Sequence, residues 1–412
     1  MCVCHGVLWE HVSTIHQNIE FQEKIRHDLK IQSVKILFSK IPSNLQMGIP
    51  EKIQSIKDEM SRTQINKATE HHVGLLKAKL AKLKREQEEV KSRSSGSSVG
   101  FDVKRTGDAT VVLIGLPSVG KSTLLNRMTG AKSTVGAFQF TTTTVVPGMM
   151  EHRGAKIQIL DLPGIIKGAS TGKGLGKRVL AVAKSADLVL IILDVFQPYH
   201  EDVIRTELGN IGIRLDQKPP DIVVEKTGDG GISVSQQVPL TKMSISLMKD
   251  ILRLYGMNNG RVLVREDVDS EQLIDFISGN KFYVDSLSIM NKIDLVNQGF
   301  VIELQEKSKS KFIPISADSD INVNALKDAI FEKLDFIRIY MRPKGGDTDY
   351  KEPLIARRNS MVLDICNKLH RDLKKDFRYG LVWGKSVKFG GQRVSINHTL
   401  QDEDVLTIVK AK

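Results

Sequence analysis

The apolar positions follow two kinds of pattern, divided near residue 100. Upstream, Val73, Leu76, Leu80, Leu83 and Val90 recur at helical spacing, and Ile53, Ile56 and Met60 form a shorter stripe. Such spacing lines apolar side chains along one helix face. The polar stretch SRTQINKAT between the stripes is rich in turn and capping residues, so residues 47–92 are predicted to form a helical hairpin. KSRSSGSSVG follows, a flexible linker by composition over residues 93–100.

Downstream, short β-rich runs alternate with helical segments: ATVVLIG, AKIQILDL, SADLVLIILD, FYVDSLSIM and KFIPIS. That alternation predicts an α/β fold with a mostly parallel sheet and crossover helices over residues 101–336. The interval from Asp194 to Asn291 exceeds what one crossover needs. A small inserted subdomain is therefore expected at about residues 215–280, with KTGDGGISVSQQVPL as a hairpin and SISLMKDILRLYG as a helix. A third unit is expected over residues 337–412. There Val362, Ile365, Cys366, Leu369 and Leu373 mark an amphipathic helix, and GLVWGKSVKF and EDVLTIVK read as strands.

Composition narrows the partners. The longest apolar runs are strand-sized, short of the roughly 18–20 residues of a membrane helix, and MCVCHGVLWEHVS lacks the basic start and apolar core of a secretory leader. No membrane or DNA partner is expected. Three cysteines give no disulfide framework and suit a reducing compartment. Cys2, Cys4 and His5 are too few for a zinc site. The net charge of +12 favours a polyanionic partner such as RNA. Lys77, Lys79, Lys82, Lys84 and Arg85 concentrate charge on the second helix, where a solvated face and an RNA contact both remain open readings.

The candidate chemistry lies in the α/β region. Gly115, Leu116, Pro117, Ser118, Val119, Gly120, Lys121, Ser122 and Thr123 fit the phosphate-loop pattern G-x-x-x-x-G-K-[ST], between a strand and a helix. Glycines let backbone N–H groups turn toward phosphate oxygens, and the helix start points its positive dipole end at the same charge. Lys121 would neutralise the β and γ phosphates, and the Ser122 hydroxyl is a hard ligand for Mg²⁺. In DLPG, Asp161 is placed to hold Mg²⁺ through water and the Gly164 N–H to face a γ-phosphate. In NKID, the Asp294 carboxylate suits the N1–H and 2-amino donors of guanine, while Asn291 and Lys292 shape the walls. Adenine would leave that carboxylate unpaired, at a cost of about 1–3 kcal/mol. In ISA, backbone N–H groups at Ser316 and Ala317 are expected to meet guanine O6. The threonine run FTTTTVVPG should supply a Mg²⁺ hydroxyl, with Thr142 preferred to Thr141. After Gly164 stands Ile165, not the water-orienting glutamine of many small GTPases, so unaided hydrolysis is expected to be slow.

Together RTQINKATEHHVGLLKAKLAKLKRE, GFDVKRTGDATVVLIGLPSVGKSTLL, DLPGIIKGASTGKGLGKRVLAVAKSADLVLIILDV, GIRLDQKPPDI, MNKID and HTLQDEDVLTIVK resemble the developmentally regulated GTP-binding proteins, the DRG family of Obg-related GTPases. The resemblance spans about residues 47–411. It implies an N-terminal helical hairpin, a P-loop Ras-like G domain with an α/β insert, and a C-terminal β-grasp (TGS) domain. It also implies a cytoplasmic GTPase that uses Mg²⁺, is helped by potassium, associates with translating ribosomes and is stabilised by a dedicated regulatory protein. Carried onto this chain, the nucleotide residues are Gly115 to Thr123, Asp161, Gly164, Asn291, Lys292, Asp294, Ser316 and Ala317. Lys121, Thr142 and Gly164 fall in the catalytic roles, and Ser122, Thr142 and Asp161 hold the metal. Lys167 stands where the family usually has Glu, and Leu175 where it usually has Arg, which puts partner contacts and hydrolysis rate in question. Residues 1–46 match nothing in the family and are read as an added tail or a misassigned start. The functions open to such a chain are a GTP-hydrolysing switch on ribosomes or, alternatively, a ribosome- or RNA-binding scaffold with a structural nucleotide. An ATP-driven enzyme fails on NKID.

Overall fold

The computed structural model describes residues 48–64, 66–94, 105–129, 146–162, 175–308 and 310–411. Two compact units divide the chain, one up to Gly96 and one from Ser97 onward.

The first unit is built on α1 (Ile49–Arg62) and α2 (Glu70–Ser94). Pro50 sits in the first turn of α1, and the Glu51 carboxylate accepts from the Gly48 N–H at 3.0 Å, satisfying a helix-start donor. Between the helices, Asn66 Oδ1 accepts from the N–H groups of Ala68 and Thr69, a side-chain turn that launches α2. Ile53, Val73 and Leu76 are buried. Val90, the last member of the predicted stripe, is 58% exposed, so burial stops before the periodicity does.

The second unit begins with β1 (Ala109–Gly115), β2 (Val146–His152), β3 (Ala155–Asp161), β4 (Leu188–Asp194) and β5 (Ile213–Leu215). Next come β6 (Ile222–Lys226), β7 (Ile232–Gln236) and β8 (Gly260–Val264), then β9 (Phe282–Asn291) and β10 (Phe312–Pro314). The central sheet has the order β10-β9-β4-β1-β3-β2, with β5 on the start of β9. Its pairings are parallel except β2 on β3. Burial on both faces explains why β1 and β4 are continuous apolar runs. Val111, Leu113, Leu188, Leu190 and Ile192 pack against α3 (Lys121–Thr129) and α9 (Val323–Lys333). Val112, Ile114, Val189, Ile191 and Leu193 pack against α4 (Leu175–Ala183) and α5 (His200–Asn210). In a parallel sheet the strand ends share one edge, and here that edge carries Gly115, Asp161, Asp194 and Asn291.

Between β5 and β9, α6 (Ile245–Leu254) and α7 (Ser270–Ser278) accompany a separate sheet of order β6-β8-β7. The predicted hairpin is corrected here. β6 and β7 flank the KTGDGG turn but do not pair; β8 lies between them, antiparallel to β6 and parallel to β7. The turn is held open by the start of β8. The Gly260 N–H bonds Gly231 O at 3.0 Å, and Asn259 Oδ1 accepts from Gly231 N–H. A side chain at Gly260 would meet Glu225 O at 2.7 Å. After β9 the chain forms α8 (Gln298–Lys307).

The last part has β11 (Phe336–Met341), β12 (Leu354–Arg357), α10 (Val362–Leu369), β13 (Phe377–Trp383), β14 (Gln392–Val394) and β15 (Asp404–Lys410). Its sheet runs β12-β11-β15-β13-β14, with Val362, Ile365 and Cys366 of α10 buried against Ile337, Ile339, Val382 and Leu406. The strand read from GLVWGKSVKF instead starts at Phe377 and stops at Trp383. Gly384 turns the chain with φ +147° against Asp404, where a Cβ would lie 2.1 Å from Oδ1.

Candidate functional site

The phosphate loop joins β1 to α3. Gly115 lies so close to β4 that a Cβ would stand 2.6 Å from Ile192 O. Ser118 and Gly120 adopt left-handed backbone angles, φ +64° and +92°. For serine that conformation is uncommon and marks a loop held by its surroundings. Lys121 opens α3, and its Nζ donates to Gly115 O at 3.1 Å and Leu116 O at 2.8 Å. The ammonium is thus folded back over the loop. Burial lowers its pKa, partly offset by Asp161.

Asp161 ends β3 beside it. Its Oδ2 accepts from Ser122 Oγ at 2.9 Å. Its Oδ1 is buried and has no hydrogen-bond partner among the described residues. Burial raises the carboxyl pKa against the pull of the Ser122 hydroxyl and of Lys121. A hydroxyl and a carboxylate sharing one contact, with a buried oxygen left over, are the hard donors that suit Mg²⁺. The residues present therefore fit that ion.

Asn291 ties the two ends of the site together. Its Nδ2 donates to Val119 O at 2.8 Å, and its Oδ1 accepts from Ala317 N–H at 3.0 Å. A Cβ on Gly120 would fall 2.3 Å from Asn291 Nδ2. Lys292, at φ +67°, turns its ammonium onto Asp194 Oδ2 at 2.6 Å. Asp294 lies exposed in the following 3₁₀ turn, Ile293–Leu295. Ser316 and Ala317 are buried after β10, and the Ser316 N–H donates to Ile321 O. The strand-end edge thus brings together Gly115, Lys121, Ser122, Asp161, Asn291, Lys292 and the Ser316–Ala317 loop. Leu116, Pro117, Val119 and Thr123 complete the loop and the first turn of α3.

Thr141, Thr142, Gly164, Ile165 and Lys167 lie outside the described residues, as do residues 1–46. Leu175 opens α4.

Sequence reasoning missed two contributors. Asp194 anchors Lys292, and its signal was legible: one carboxylate closing the apolar run LVLIIL, opposite Asn291 in the strand register. Arg127, on α3, donates to Ala317 O at 3.1 Å and Asp318 O at 2.6 Å. Nothing local to Arg127 in the sequence signals that reach.

Residues 110–226 match the 50S ribosome-binding GTPase family, residues 229–336 the C-terminal region of that domain, and residues 337–410 the TGS domain. Fold and site define a P-loop GTPase with a C-terminal TGS domain. An uncharacterised GTP-binding protein of Methanocaldococcus jannaschii is 50% identical over 367 residues, covering 88% of this chain and 93% of that one. Developmentally-regulated G-protein 3 of Arabidopsis thaliana is 45% identical over 88% of this chain and 99% of its own length. Ribosome-interacting GTPase 1 of Saccharomyces cerevisiae is 45% identical over 87% and 98%. The chain belongs to the developmentally regulated GTP-binding protein family. No helix among the described residues is long and apolar enough to cross a membrane.

Proposed function

We propose that this GTPase hydrolyses GTP to GDP and phosphate as a slow switch on the ribosome in the cytoplasm. The observation that carries the proposal is the junction at Asp161. Its Oδ1 is buried without a hydrogen-bond partner among the described residues, and its Oδ2 meets the Ser122 hydroxyl beside a retracted Lys121. A triphosphate would draw the Lys121 ammonium off the Gly115 and Leu116 carbonyls, exchanging neutral acceptors for charged ones. The N–H groups of the loop would cradle the β-phosphate. Ser122, Asp161 and Thr142 are the residues that would hold Mg²⁺, and the bound ion supplies neutralisation of the charge on the β and γ oxygens. Gly164 is assigned to the γ-phosphate. Asp294 is assigned to guanine N1–H and the 2-amino group, with Asn291, Lys292, Ser316 and Ala317 forming the base end. Within this reading residues 47–92 are the hairpin, 93–100 the linker, 101–336 the G domain with its insert at about 215–280, and 337–412 the TGS domain.

The ribosome is supported as partner by the matching 50S ribosome-binding family and the ribosome-interacting yeast relative. Potassium assistance and a dedicated regulatory protein rest on the family resemblance. GTP turnover measured with and without ribosomes, in sodium and in potassium, tests the reading. Slow turnover that rises with ribosomes and with potassium is expected; turnover indifferent to both removes the switch. Ile165→Ala should keep most of the basal rate, whereas Lys121→Ala should lose it. A Ser122→Asn protein that still binds ribosomes and supports growth would favour the scaffold reading.

A further inference from the structure

We propose that Asp194 is a positioning residue for the guanine nucleotide: it holds Lys292 as a preformed wall at the base end of the site. The proposal deepens the guanine-nucleotide reading above and rests on it. Lys292 follows β9 with a left-handed backbone, φ +67°. A non-glycine residue keeps that conformation when its surroundings hold it. Both of its neighbours are held. Asn291 O accepts from the Val195 N–H at 3.2 Å, and the Ile293 N–H donates to Ile315 O at 3.2 Å. Lys292 O itself accepts from the Leu295 N–H at 3.1 Å. The main chain is thus fixed, and the course of the long side chain is decided by what its ammonium meets.

It meets a fixed post. Asp194 ends β4 in register with Asn291. Its Oδ2 takes the Lys292 ammonium at 2.6 Å, while its Oδ1 accepts from the Phe196 N–H at 3.0 Å. The Asp194 carbonyl accepts from the Gln197 N–H at 2.8 Å. Turning the carboxylate toward another partner would break both of its bonds. The two side chains are 32% and 16% exposed, so water screens this pair less than an ordinary surface ion pair. In the sheet β9 neighbours β4, and β4 neighbours β1, which leads into the phosphate loop. The Lys292 stem therefore runs from the end of β9 toward the phosphate-loop side, away from the loop that follows β10. A loose lysine stem loses rotamer freedom when a ligand settles against it. Here the fold has already ordered the stem, and preorganisation of that kind raises affinity. With the ammonium neutralised at Asp194, the methylenes are left to the planar base.

The test is a double-mutant cycle on GDP affinity, measured by calorimetry on the full chain. Asp194→Asn keeps an oxygen for the Phe196 N–H and puts an amide NH₂, which cannot accept, against the ammonium. It should weaken GDP binding about fivefold, the scale of one hydrogen bond. Lys292→Ala should weaken it at least as much. In the Lys292→Ala background, adding Asp194→Asn should change the affinity by less than about twofold, because the post then has nothing to hold. A full fivefold loss in that background would show Asp194 acting independently of Lys292 and overturn the proposal. An Asp194→Asn protein with wild-type affinity would do the same, leaving the carboxylate only its structural bond to Phe196. If Asp194→Asn does not fold, Lys292→Gln breaks the pair from the other side, and an unchanged GDP affinity there is equally fatal. Wild-type protein that binds no GDP would instead sink the underlying guanine reading.

Discussion

Burial works against the charged form of the Asp161 carboxyl. Its folded pKa is raised, so in the metal-free protein the carboxyl costs stability as pH climbs from its unfolded value, about 3.9, through its folded one. Below the unfolded value the cost is absent. Asp161→Asn should therefore unfold at the same or a higher temperature than wild type in metal-free neutral buffer. Adding Mg²⁺ with GDP should raise the wild-type midpoint and move that of the variant far less. A variant less stable than wild type without metal would contradict the assignment. Asn291 shows the opposite economy, since both ends of its buried amide are satisfied. Asn291→Ala should strand Val119 O and Ala317 N–H and cost about 1–3 kcal/mol. A urea midpoint unmoved by that substitution would deny it the bridging role. The sequence identified Asn291 as wall-forming, but the bridge joins residues 172 and 26 positions apart, which only folding brings into contact.

Among the elements, α5 is fastened to β9 by a polar cluster. Glu201 is buried, which alone would push its pKa up. The hydroxyls of Ser310 and Ser288, at 2.6 and 2.7 Å, and the Arg205 guanidinium at 2.8 Å outweigh that and hold it below the usual range. Arg205 reaches on to Asp216, which follows β5 and leads toward the β6-β8-β7 sheet. A depressed carboxyl contributes stability that is complete above its unfolded value, about 4.3, and lost as pH falls through the folded one. Replacing both Ser288 and Ser310 by alanine should shift the acid-unfolding midpoint to higher pH; an unchanged midpoint would show the cluster to be energetically idle. Elements with strong local signals were readable: β1, β4 and α6 fall where continuous apolar runs and helical spacing put them. The pairing of β6 and β7 was not, because sequence adjacency favours a hairpin while β8 arrives from beyond α6.

For the whole second unit, the TGS part is packed onto the GTPase core. Ile355 of β12 and Phe336 of β11 are buried in the cluster that holds α3 and α9 against the central sheet. Lys368 of α10 reaches Asp108 at 2.8 Å, and Arg357 reaches Asp187 at 2.5 Å. Asp108 precedes β1 and Asp187 precedes β4, at the opposite strand ends from the phosphate loop. The half-exposed ion pairs add little, about 0–1 kcal/mol each. Burial of Ile355 therefore dominates the join. Ile355→Ala should cost about 2–5 kcal/mol of unfolding free energy. Lys368→Ala should cost under about 1 kcal/mol. Chemical denaturation of both variants would check the ordering, and a larger loss for Lys368→Ala would reverse it.

The sequence by itself determined the parallel α/β core, the loop at Gly115 to Thr123 and the strand-end positions of Asp161, Asn291 and Ser316. Each rests on short-range order: apolar period, glycine placement, a polar residue closing an apolar run. Tertiary structure alone decided the β8 interposition, the Asn291 bridge, the Arg127 hold on Ala317 and Asp318, and the seat of Ile355. These depend on which distant segments meet, and hydrogen bonding and apolar burial select those meetings only once the chain is compact.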